Sequence, residues 1–200
     1  MQQITKVYNV YKFNELSDKA KEYARDKYRE NFDFSLCSDY VFEECKELFK
    51  LLGVSVDRFY YSGFSSQGDG ACFTGSYAFT YDAIANIKKH APNDLRLYNI
   101  ACRLDALQSK VENKLSAKIT HNSRYYHENS VTIDVTHENE DLNFACYGEQ
   151  AYELKDCLKD LMKWLYKSLE SNYDYFMSNE SIDENILAND YDFLENGSIF

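Results

Sequence analysis

Apolar and polar positions change period several times along this chain, and each change marks an element. Ile4 to Phe13 alternates aromatic or β-branched residues with polar ones, which predicts a strand. Ser17 then stands as a helix cap, with Asp18 in the first turn and Ala20, Tyr23, Ala24 and Tyr28 on one face. A second helix starts near Ser38; Val41, Phe42, Cys45, Leu48, Phe49 and Leu52 follow its 3.6 period until Gly53 ends it. Val54 to Tyr61 and Ala71 to Tyr81 read as strands joined by a loop too long for a tight hairpin. A short helix over Asp82 to His90 stops at Pro92, and a longer one is expected from Asp94 to Leu115 on the spacing of Ile100, Leu104, Leu107, Val111 and Leu115.

Ala117 to Tyr126 and Ser130 to Glu138 predict a hairpin. Its second strand sets Val131, Ile133 and Val135 against Thr132, Asp134 and Thr136. Glu149 to about Ser171 forms a long helix striped by Leu154, Leu158, Leu161, Leu165 and Leu169. Ser181 and Glu184 make a capping-box pattern that opens a last short helix, and the tail can add an edge strand. Strands and helices come in blocks rather than in strict alternation. The expected fold is therefore α+β, a mostly antiparallel sheet of four to six strands packed with five or six helices. One domain over residues 1–200 is expected, its acidic segment 168–200 packed on it or extending from it.

Composition narrows the function classes. Apolar residues make up 44% and charged residues 28%, a globular balance without Pro-rich or low-complexity character. Neither an export signal nor an apolar run of membrane-spanning length is present, so a cytoplasmic protein with no membrane contact is expected. With no C-x-x-C pair, the six cysteines read as reduced, buried small hydrophobes rather than metal ligands, and neither metal nor cofactor is expected.

The 33 acidic residues exceed the 22 basic ones, a net charge of −11 that argues against generic nucleic-acid binding. The excess is local. After Lys167 there is no Lys or Arg, while eight acidic residues follow. Asp174, Tyr175, Asp183, Glu184, Asp190, Tyr191, Asp192 and Glu195 then form a candidate partner surface, acidic and aromatic, suited to a basic protein. The competing reading is a solvated acidic face with its rings packed underneath.

Two further segments carry candidate chemistry. Gly63, Ser65, Ser66, Gln67, Gly68, Asp69 and Gly70 form a donor-rich loop. It fits neither a dinucleotide fingerprint nor a P-loop, and Gln67 stands where a nucleophile elbow needs glycine. Positive φ at its glycines would let backbone N–H groups form an anion-binding nest for a phosphate-bearing ligand. The plainer alternative is a wide β-connection with Asp69 capping a turn. His127 is the candidate acid or base, and Ser65, Asp69 and His127 would make a triad-like set if folding brought them together. His127-Glu128 and His137-Glu138 start like zinc-protease motifs but lack the second histidine.

Four runs together resemble a family of small phage and prophage proteins, some of them called antitoxin-like. They are YKFNELSDKAK over residues 11–21, GFSSQGDGACF over 63–73, Tyr126-His127-Glu128, and NDYDFLENG over 189–197. The resemblance implies a phage-encoded protein acting in the host cytoplasm. It would inhibit or modulate a host protein by protein–protein contact, as counter-defence or anti-CRISPR-like inhibitors do. A small-ligand or nucleotide-binding protein, or a phosphoester-type enzyme using the Gly63–Gly70 loop, is the alternative expectation.

Overall fold

A computed structural model describes residues 1, 4–139, 141 and 144–200. The fold is α+β, with six α-helices and two antiparallel sheets among the described residues. The chain divides into two compact units. Unit 1 is Met1–Cys37 with Ser171–Phe200, and unit 2 is Ser38–Glu170.

Unit 2 holds the larger sheet. Strands β2 (Val54–Tyr61), β3 (Ala71–Ala78), β4 (Leu115–His121) and β5 (Val131–His137) lie in that order, every neighbour antiparallel. Helix α2 (Ser35–Leu51) precedes β2; α3 (Ala83–His90) and α4 (Leu95–Ser109) join β3 to β4; α5 (Gly148–Met177) follows β5. One sheet face is covered. Phe49 of α2 meets Phe59, Phe73 and Trp164 at ring separations of 6.3, 5.3 and 5.8 Å. The other face carries Ser76, Lys118, Thr132, Asp134 and Thr136 into solvent, the alternation expected of a half-buried antiparallel sheet.

Two polar side chains fix the helix ends here. Asp94 accepts the Leu97 N–H as cap of α4 and the Trp164 indole N–H at 2.6 Å, which ties α4 to α5. Gln108, fully buried, donates to the Leu115 carbonyl and the Tyr77 hydroxyl and accepts the Leu115 N–H. Gln108 thus serves β4 as a strand neighbour would. It also explains a difference from expectation: α4 ends at Ser109, not near Leu115, and a turn with Glu112 and Asn113 at positive φ leads into β4.

Unit 1 is built from both chain ends. Helix α1 (Asp18–Asn31) starts at Ser17, whose hydroxyl accepts the Ala20 N–H. Helix α6 is Asn179–Ala188; its cap is Ser178, not Ser181, which lies buried in the first turn. Phe13, Leu16, Ala20, Ala24, Ile182, Ile186 and Phe193 form the core. Tyr23, expected on that face, is exposed, with the Lys27 ammonium over its ring. Only Tyr11–Lys12 (β1) forms a ladder, with Asp192–Phe193 (β6), so most of the strand expected from Ile4 finds no neighbour in the sheet. After β6 the chain turns back, Gly197 at φ +88° sitting where a Cβ would lie 2.1 Å from the Ala20 carbonyl oxygen.

Candidate functional site

The Gly63–Gly70 loop is a closed structure. The Asp69 carboxylate accepts the N–H groups of Ser65 and Ser66 at 2.9 and 2.7 Å. Those are the donors an anion-binding nest would have offered, and they already hold a carboxylate of the same chain. None of Gly63, Gly68 and Gly70 has positive φ, so the expected backbone of the nest is absent as well. Phe64 stacks between Tyr61 and Tyr166, and the Tyr166 hydroxyl donates to the Gly63 carbonyl at 3.4 Å. The plainer reading, a wide connection capped by Asp69, describes this loop.

Gly70 has a packing role. A Cβ there would lie 2.6 Å from the His127 Cβ and 2.9 Å from the Tyr126 carbonyl oxygen. Glycine lets the His127 segment close over the end of β3. The structure thus brings the end of the loop against His127 by packing, and their polar contacts lie elsewhere. His127 Nδ1 accepts the Asn129 N–H at 3.1 Å, the His127 backbone N–H donates to the Ser130 hydroxyl, and that hydroxyl donates back to the His127 carbonyl. With Asp69 turned to Ser65 and Ser66 and His127 to Asn129, the set Ser65, Asp69, His127 is not assembled as a triad. Gln67 and Gly68 are exposed at the loop tip.

The thiols offer no nucleophile in this region. Burial pushes the Cys72 thiol up to about 11, and Cys45 and Cys157 to about 12, so each stays protonated near neutrality. Those three are the buried small hydrophobes expected; Cys37 and Cys102 are half-buried and Cys146 is exposed.

Some carboxylates of the acidic tail form ion pairs within unit 1. Asp183 on α6 takes Arg25 of α1 in a two-pronged bond, with 2.7 Å at each contact. Asp190 and Asp192 both sit 3.0 Å from the Lys12 ammonium, and the Asp190 carbonyl also accepts from it. Arg29 reaches the Met177 carbonyl and the Asn179 side chain. Asp183 is half-buried in its pair, whereas Asp190 and Asp192 stay exposed while they pair with Lys12. Asp174, Glu184 and Glu195 form none of the ion pairs among the described residues, and Tyr175 and Tyr191 remain exposed.

Beside these pairs lies a groove of about 490 Å³ within unit 1. Ala24, Tyr28, Phe32, Leu36, Ile186, Tyr191, Phe193 and Ile199 line it, with Lys27, Asn31 and Asp33 among its polar members. Leu36 is 74% exposed and Ile199 59%, high for side chains of this size. Of these residues only Tyr191 was a sequence candidate. Leu36 did leave a trace: it stands nine positions before Cys45, half a turn out of phase with the buried stripe of α2.

Residues 38–179 match a domain of unknown function, DUF8835. The chain belongs to this family. The DUF8835 match takes in all of unit 2 and runs to the first residue of α6, whereas the groove is lined by residues 24–37 and 186–199. No match is found among curated proteins and none among solved structures. No helix among the described residues is long and apolar enough to cross a membrane.

Proposed function

We propose that this DUF8835 protein is a non-catalytic binding protein whose unit 1 receives a basic, apolar segment of a partner protein. The observation that carries this reading is the open apolar groove with Leu36 and Ile199 exposed, set in a unit with 13 acidic and 7 basic residues. An exposed apolar patch of this kind, rimmed by polar groups, suits a protein contact, and the surrounding negative charge selects a cationic one. The resemblance to small phage proteins supplies the finer form: the partner is a host protein with a basic surface, met in the host cytoplasm and inhibited or modulated by the contact.

The test separates docking from the internal ion pairs. Asp183, Asp190 and Asp192 already pair with Arg25 and Lys12, so the informative changes are Leu36→Asp in the groove and Glu184→Lys with Glu195→Lys elsewhere in unit 1. Tagged protein retains a specific host protein, identified by mass spectrometry; Leu36→Asp abolishes retention, and the double reversal weakens it most at low salt. Retention of the same protein by wild type and Leu36→Asp alike would rule the groove out.

A further inference from the structure

The arm that precedes β1 has the chemistry the groove asks for. Ile4 and Val7 are 76% and 89% exposed, and Tyr8 and Val10 are exposed too. The arm carries Lys6, and no acidic residue occurs before Glu15. Its β-branched and aromatic content suits extended backbone, yet pairing begins only at Tyr11 and Lys12. Within one chain the arm meets Phe200 through Tyr8, ring centroids 5.6 Å apart, and contributes nothing to the groove lining. An extended, apolar segment left without a ladder is a ready donor strand for another chain.

Resting on the groove reading above, we propose that the arm of a second copy occupies the groove. Two chains then exchange arms about a two-fold axis, and this self-association regulates access of the partner. Residues 4–10 span about 23 Å when extended, at roughly 3.3 Å per residue. Charge complementarity favours this occupant. Without the arm's Lys6, unit 1 as a whole carries 13 acidic residues against 6 basic ones, while the groove lining itself holds one cation, Lys27, and one anion, Asp33. The contact is isologous and closes at two copies, because each chain brings one arm and one groove.

The full-length protein is examined by light scattering after size exclusion across a concentration series at low and high salt. Wild type is expected to form a dimer that loosens with salt. Val7→Asp and Leu36→Asp, both at exposed positions and checked for unchanged circular dichroism, are each expected to be monomeric. Mixed in equal amounts they should pair again, the intact arm of the Leu36→Asp chain entering the intact groove of the Val7→Asp chain. A monomeric wild type, a dimer that survives Val7→Asp, or a mixture that stays monomeric would each overturn the proposal. The partner reading fails separately. If Leu36→Asp still loses a captured host protein while wild type is monomeric, the groove reading stands and arm exchange falls. If arm exchange holds but no partner is captured, only the partner reading falls. If both hold, Val7→Asp captures more partner than wild type, since no arm competes with it.

Discussion

Unit 2 contains single side chains that satisfy several buried or charged groups at once. Gln108 closes three bonds that would otherwise leave the Leu115 backbone and the Tyr77 hydroxyl without partners in a dry interior. Gln108→Leu keeps the volume and removes every bond, so unfolding in urea should show a loss of about 3 kcal/mol. Asp160 is a second such residue. Burial works against its carboxylate, but the bonds from Arg103 and Lys163 outweigh that and hold its pKa below the usual range. A lowered folded-state pKa gives stability that is present above the unfolded value near 4 and is lost as pH falls through the folded one. Asp160→Asn should therefore weaken the protein at neutral pH, and the gap to wild type in urea melts should close as pH drops below about 4.

Elements that bury a continuous stripe were legible; those that depend on a distant partner were not. α5 follows from its leucine stripe and, at 30 residues, runs six residues beyond the expected end at Ser171. The strand expected from Ile4 shows the opposite. Its alternation is genuine, but a ladder needs a neighbour, and β6 offers only two residues. Val111 and Leu115 continue the helical spacing of α4, yet Gln108 and the turn at Glu112 and Asn113 take both out of the helix. α6 is held to α1 by Arg25 and Asp183, separated by 158 positions. Asp183→Ala leaves the half-buried Arg25 without its two-pronged acceptor and should cost about 1–3 kcal/mol. Hydrogen exchange should then rise over 179–188 before it rises in β2–β5.

At the scale of the molecule, the charge excess of −11 is shared between the units. Unit 2 has 20 acidic and 15 basic residues, and unit 1 has 13 and 7. Relative to its size, unit 1 is the more acidic, although several tail carboxylates are answered by Lys12 and Arg25. The sequence by itself determined the α+β class, the antiparallel strands, the long helix and the position of the acidic tail. These follow from local period and composition, which depend on neighbours a few residues apart. Only the tertiary structure decided that Asp69 satisfies the loop's N–H groups, that His127 packs on Gly70, and that Asp183, Asp190 and Asp192 pair with Arg25 and Lys12. The division into two units, the groove at Leu36 and Ile199, and the arm left exposed were decided there too. Each depends on which distant residue meets which, and periodicity along a chain carries no record of such meetings.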